Sequence, residues 1–297
     1  MHDLIIIGGG PAGLSAGIYA RRYGINFLVI GQIKGGTVNE AHIVDNYLGF
    51  KSISGPDLAK KFYEHFNAKT KNEQVVKLTK KGFKSPIFEV VTDKGRYQAK
   101  SLILGLGMKM RKLEIKNEDK FLNKGISYCA PDVTSLKKKT VAVVGGGDSA
   151  LTLALKVAEY AQKVYLIHRR DEFRGAPSLV KKAEKKENIE ILYCAQVAEA
   201  KGKKSLEKII LNNGNEVKLN ELFIEVGGVP NVHLCGELKI EMDNNFIAVN
   251  KEQATNVPGV FAAGDITNNP LKQIITACAE GAVAATGVYK YLRNRKN

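Results

Sequence analysis

At 297 residues, with 44% hydrophobic and 25% charged positions, the chain has the length of about two domains, each able to bury its own core. No apolar run approaches the roughly 20 residues of a membrane helix. Leu4–Ile7 is too short for the apolar region of a signal peptide, and four cysteines (129, 194, 235, 278) are too few and too scattered for a disulfide framework, so a cytoplasmic enzyme is the plain expectation. The net charge of +15, from 45 basic and 30 acidic residues, fits a lysine-rich solvated surface or a surface that steers an acidic partner; no nucleic-acid recognition motif accompanies it.

In chain order, the first predicted element is a βαβ unit. LIIIGGGPAGLSAGIYARRYGINFLVIG, from Leu4, runs apolar strand, glycine turn, helix, second apolar strand. A glycine-bearing loop follows, then an amphipathic helix over residues 55–69. Short alternating strands are predicted near 75–78 and at Ile87–Thr92, with turn signals at Ser85-Pro86 and Asp93-Lys94-Gly95. Residues 101–104 read as a buried strand ending in Gly105-Leu106-Gly107. VAVVGGGDSALTLALKVAEYAQKVYLIH, from Val141, then repeats the first unit without a gap, Gly145 matching Gly8 at an offset of 137 residues. A lysine-rich helix (178–186), strands near 189–193 and at Lys208–Leu211, and a turn at Asn212-Asn213-Gly214 come next.

Two such units on one chain imply two bound dinucleotides, with electrons passing between them. The last third supports this. TNVPGVFAAGD at 255–265 is an apolar strand ending in Gly264-Asp265, followed by an alanine-rich helix over 273–292. An acid there suits the sugar-alcohol hydroxyls of a flavin cofactor, with free helix N–H groups facing an electron-rich ring edge. The expected fold is α/β, with two Rossmann-like three-layer domains and the second inserted into the first. The nicotinamide cofactor is also legible. The second strand of the repeat ends in His168, Arg169 and Arg170, with Arg174 nearby, where a NAD-binding unit carries an acid. Guanidinium groups suit a 2′-phosphate, so NADPH is expected.

The chain resembles the low-molecular-weight thioredoxin reductase family over nearly its whole length. The resemblance rests on GGGPAG at 8–13, Lys34-Gly35-Gly36, Asp45-Asn46-Tyr47-Leu48-Gly49, GISYCA at 125–130, GGGDSA at 145–150, HRRDEFR at 168–174, GGVPN at 227–231, FAAGD at 261–265 and Lys272-Gln273. It implies an FAD domain over 1–110 and 231–297, with an NADPH domain over 111–230. The FAD site would comprise Gly8, Gly10, Pro11, Ala12, Gly13, Gly31, Gln32, Gly35, Gly36, Thr37, Asn46, Gly264, Asp265, Lys272, Gln273 and Ile274. The NADPH site would comprise Gly145, Gly147, Asp148, Ser149, Ala150, His168, Arg169, Arg170 and Arg174, and His168 has a second reading, packing beside the adenine. A homodimer is the family habit; no metal, membrane or nucleic acid is expected.

Three departures stand out. Gly31 replaces the acid that often ends the second strand, and Thr37 replaces a glutamine usual in the family. The family's Cys-x-x-Cys pair is reduced to Cys129 in Tyr128-Cys129-Ala130-Pro131-Asp132-Val133, one residue short. Disulfide exchange needs a second, resolving thiol, so Cys129 is a doubtful catalytic residue. Hydride transfer from NADPH to FAD is expected to persist, with electrons leaving to another acceptor: a ferredoxin- or flavodoxin-like acidic carrier, a quinone or oxygen. Ferredoxin-NADP reductase relatives carry an extra C-terminal segment, whereas this chain stops about one helix after Asp265. Two alternatives stay open: disulfide reduction through Cys129 with a distant or external thiol, and a non-enzymatic sensor.

Overall fold

The structure is a computed structural model that describes residues 1–31, 35–41, 43–68, 70–82, 85–128 and 133–295. Gln32 and Cys129 therefore lie outside the described residues. The chain divides into two compact units, one of Met1–Lys109 with Pro230–Asn297 and one of Met110–Val229.

The first unit is built on a five-stranded parallel sheet in the order Val260–Ala262, Leu102–Leu104, Leu4–Ile7, Phe27–Ile30, Thr70–Lys71. Leu4–Ile7 is buried at all four positions because both sheet faces are covered. Alternation sorts its side chains. Leu4 and Ile6 join Ala12, Leu14, Ala16, Ala284 and Val288 beneath the helices Pro11–Arg22 and Ile274–Asn294. Ile5 and Ile7 pack with Leu78, Phe88 and Val90 of the antiparallel sheet Val75–Lys81, Ile87–Thr92, Arg96–Ala99. Small residues let the two helices touch: a Cβ at Gly281 would stand 2.1 Å from Ala12 O.

The second unit repeats the plan. Its parallel sheet runs Ile189–Leu192, Lys163–Ile167, Thr140–Gly145, Glu221–Glu225, Ile126–Ser127. Val141 and Val143 face the helix Asp148–Val157, while Ala142 and Val144 face the antiparallel layer Val197–Lys201, Lys208–Leu211, Glu216–Lys218. Each unit is thus helices, parallel sheet and antiparallel sheet, the expected three layers.

The predicted helix over 55–69 spans Gly55–Phe66, because Asn67 turns into the left-handed region (φ 43°) and caps it. The lysine-rich helix is Pro177–Glu184. Among the described residues no helix is long and apolar enough to cross a membrane.

Candidate cofactor sites

The first glycine turn leaves Leu4–Ile7 at the C-terminal edge of its sheet. Gly8 N donates to Ile30 O at 2.8 Å, and Gly105 N to Ile7 O at 2.8 Å. A Cβ at Gly8 (φ 127°) would fall 2.0 Å from Gly105 O, and one at Gly13 1.9 Å from Gly8 O. Glycine is required here by close backbone approach. The helix then starts at Pro11, with Gly10 as N-cap and no side-chain acceptor for the first N–H groups. That terminus is suited to an anion. A second loop crosses the turn: Gly35 N donates to Gly9 O at 2.8 Å, and a Cβ at Gly36 would lie 3.0 Å from Gly10 Cα.

Gly31 belongs to the same close packing. A Cβ there would stand 2.6 Å from Gly9 N and 3.2 Å from Gly8 C. The strand end is pressed against the turn, which is the physical reason no acid occupies it. Thr37 and Asn46 are exposed, and Asn46 Nδ2 donates to Gln273 Oε1 at 3.2 Å.

The Gly264-Asp265 turn joins this edge. Ala263 N donates to Leu104 O at 3.0 Å, and a Cβ at Gly264 would lie 3.1 Å from Ala12 Cβ. Burial raises the Asp265 carboxyl above its ordinary range, and the Lys272 charge opposes the rise. Lys272 donates to Thr267 O and sits 4.4 Å from the Phe246 ring centre. Sequence reasoning missed Glu280, a buried acid in the alanine-rich helix. Its Oε2 accepts from Gly264 N at 2.7 Å and from Thr267 Oγ1 at 3.3 Å, and burial raises its pKa. An isolated acid amid alanines was the available signal.

The last helix begins differently from expectation. Gln273 is its N-cap and forms a reciprocal capping box with Thr276, so the third N–H is already satisfied by a side chain. Only the first two N–H groups, on Ile274 and Ile275, are left for a ligand at this terminus.

In the second unit a Cβ at Gly145 would stand 2.3 Å from Glu225 O and 2.6 Å from Ala150 Cβ, so Ala150 is buried packing beneath the turn. Gly147, the N-cap of Asp148–Val157, has no side-chain acceptor and open space where a Cβ would be. Ser149 is exposed. Asp148 Oδ1 accepts from Ala176 N at 2.7 Å, tying the helix start to the end of the arginine loop. Arg169, Arg170 and Arg174 are exposed, with no ion pair among the described residues. His168 is only 5% exposed, against Gly146 and Phe173.

Of the cysteines, Cys194 is exposed. Burial pushes the Cys235 thiol up to about 11. It also raises Cys278, whose Sγ accepts from Tyr47 OH at 3.8 Å, with Tyr47 itself pushed up to about 12. Neither buried thiol has the depressed pKa of a reactive nucleophile. Tyr128, next to Cys129, is held by Glu118 and by Leu113 N at 2.7 Å.

In both units a cradle without Cβ atoms beside an uncapped helix N-terminus fits a dinucleotide pyrophosphate. Comparison with known proteins agrees. Residues 2–281 match the pyridine nucleotide-disulphide oxidoreductase family. A thioredoxin reductase of Mycoplasma genitalium is 37% identical over 300 residues, covering 97% of this chain and 94% of the relative. The crystal structure of the Lactococcus lactis thioredoxin reductase superposes with a TM-score of 0.92 at 30% identity, covering 99% and 100% of the two chains. A ferredoxin-flavin thioredoxin reductase from Clostridium acetobutylicum matches at 33% identity and a TM-score of 0.54, covering 99% of this chain and 98% of that one. The chain therefore belongs to the pyridine nucleotide-disulphide oxidoreductases, as a low-molecular-weight thioredoxin reductase-like flavoprotein enzyme that uses FAD and NADPH.

Proposed function

We propose that the enzyme passes electrons from NADPH through FAD to an acceptor other than an internal Cys-x-x-Cys disulfide. The observation that carries this reading is in the sequence: residues 128–133 read Tyr-Cys-Ala-Pro-Asp-Val, one thiol where exchange through a mixed disulfide needs two. The unit of Met1–Lys109 with Pro230–Asn297 is the FAD domain and Met110–Val229 the NADPH domain. Gly8, Gly10, Pro11, Ala12 and Gly13 receive the FAD pyrophosphate, with Gly31, Gln32, Gly35, Gly36, Thr37, Asn46, Gly264, Asp265, Lys272, Gln273 and Ile274 completing the site. Gly145, Gly147, Asp148, Ser149 and Ala150 form the second turn, and Arg169, Arg170 and Arg174 take the 2′-phosphate. Bound FAD supplies a two-electron acceptor for the hydride of NADPH, while the protein supplies position and electrostatics. No side chain is needed as acid or base.

The acceptor we favour is a small acidic electron carrier. The excess of 45 basic over 30 acidic residues suits one. The second reading, thioredoxin reduction through Cys129 and an external thiol, is favoured by the names of the relatives, all thioredoxin reductases. Anaerobic NADPH titration separates them. Flavin bleaching complete at one NADPH per FAD, unchanged in Cys129→Ser, is the expected result. A second equivalent consumed by the wild type and lost in the variant would establish a thiol centre instead. Turnover well above about 1 s⁻¹ with any acceptor is what an enzyme, rather than a sensor, would give.

We also propose a homodimer. Tyr19, Ile275 and Val283, 38–39% exposed, lie on the outer side of the two packed helices, an apolar surface suited to a second copy. Light scattering should give twice the 32.5 kDa chain mass, and Val283→Lys should shift the protein towards monomer. A wild-type monomer at micromolar concentration would end the idea.

A further inference from the structure

Within the proposed NADPH site, and resting on that reading, we infer that His168 is a positioning residue: it locks the arginine loop to the second glycine turn and so sets the preference for NADPH over NADH. The sequence places His168 among the coenzyme contacts, but its ring is turned inward. It is 5% exposed and occupies the space that a side chain at Gly146 would need, its Cε1 standing 2.1 Å from the position of a Cβ there. Its Nε2 donates to Glu172 O at 3.0 Å. Its ring stacks on Phe173, with centroids 5.2 Å apart at 27°, and Phe173 packs on Tyr193 at 5.1 Å.

Gly146 is the hub that makes this a clamp. Its carbonyl accepts from Arg174 N at 2.8 Å and Gly175 N at 3.1 Å, while its Cα face is covered by the His168 ring. Residues 169–174 form neither helix nor strand, and fixing such a segment carries an entropic cost that these bonds and the ring stack offset. Arg169 and Arg170 have no ion pair among the described residues to hold them. Their backbone is fixed instead at its ends, with Ala195 N donating to His168 O at 3.0 Å and Cys194 N to Arg170 O at 3.1 Å.

The imidazole is suited to a neutral, structural part. Burial lowers its pKa below the ordinary histidine range, and the charges of Arg174 and Arg170 act in the same direction, against the carbonyls of Glu172 and Gly145. A neutral ring adds no charge beside the guanidinium groups.

The two coenzymes differ only at the 2′ position, so they discriminate a clamp from a contact. A residue touching adenine or pyrophosphate affects both alike; one that aims the arginines affects NADP⁺ alone. Dissociation constants for NADP⁺ and NAD⁺ are to be measured by calorimetry on the flavin-loaded enzyme. Loss of one buried hydrogen bond and its geometry in His168→Leu should weaken NADP⁺ about tenfold and NAD⁺ less than about twofold. His168→Gln, which keeps an N–H donor near the Nε2 position, should recover most of the loss. Phe173→Leu, which weakens the stack and leaves the Gly146 contact in place, should give a smaller loss with the same selectivity, and it reads the clamp even if His168→Leu does not fold. Equal weakening of both coenzymes, or no weakening in any variant, overturns the inference. Arg169→Ala with Arg174→Ala tests the underlying reading separately. If that pair leaves the NADP⁺ to NAD⁺ ratio unchanged, the basic loop is not the 2′-phosphate site, whatever His168 does.

Discussion

Gly31→Ala is expected to yield a protein with little bound flavin. The added Cβ would meet Gly9 N at 2.6 Å, Gly8 C at 3.2 Å and Gly9 Cα at 3.3 Å, all backbone atoms of the first glycine turn. No flexible side chain can move aside, so the turn itself must shift. Overpacking of this kind costs about 1–3 kcal/mol in stability, and the displacement falls where the FAD pyrophosphate is proposed to rest. The ratio of flavin to protein absorbance and the melting temperature together read both effects. Full flavin content with an unchanged melting temperature would show that the turn tolerates a side chain. Gly24→Ala provides a contrast, since nothing lies within 4 Å of its Cβ position; its positive φ of 65° predicts a small loss of stability with flavin retained.

The second large effect concerns the arginines. Replacing Arg169 and Arg174 together with alanine should raise KM for NADPH by about one hundredfold, since hydrogen bonds to charged groups contribute about 1.5–3 kcal/mol each. Both guanidinium groups are exposed, so screening by solvent and salt trims the figure. KM for NADH should change little, because NADH carries no 2′-phosphate for these groups to meet. The preference between coenzymes should therefore collapse, and more so at low ionic strength. Equal rises for NADPH and NADH would assign the loop a general structural part.

How much of this was legible in the sequence follows from where the information resides. The two βαβ units were readable because apolar runs such as Leu4–Ile7 and Val141–Val144 are buried on both sheet faces, and glycines stand where the backbone passes closest. The strand Glu221–Glu225 was not assigned, although it sits beside Thr140–Gly145 in the second sheet. Its five residues ELFIE carry acids at both ends, which disguise a buried centre. Gly31 illustrates a different limit: as a departure from a motif it looked like a weakness, whereas the cause is a contact with residues some twenty positions earlier that no local pattern carries. His168 and Glu280 belong with it. Each is a polar residue whose part is decided by what its ring or carboxyl meets inside the fold, namely Gly146 and Glu172 O for one, Gly264 N and Thr267 for the other.

The order of strands in the first sheet also has a bearing on biosynthesis. Val260–Ala262 ends the sheet and pairs with Leu102–Leu104, and the helix Ile274–Asn294 covers the same sheet. Both are translated after the whole of Met110–Val229. On the ribosome, the later-encoded unit can close first, since all its strands emerge in one continuous stretch. The unit that opens the polypeptide must wait, with the Leu102–Leu104 edge unpaired and Leu4 and Ile6 covered on their helix face by Pro11–Arg22 alone, until the last helix leaves the exit tunnel. During that interval the nascent chain is most exposed to chaperones and proteases.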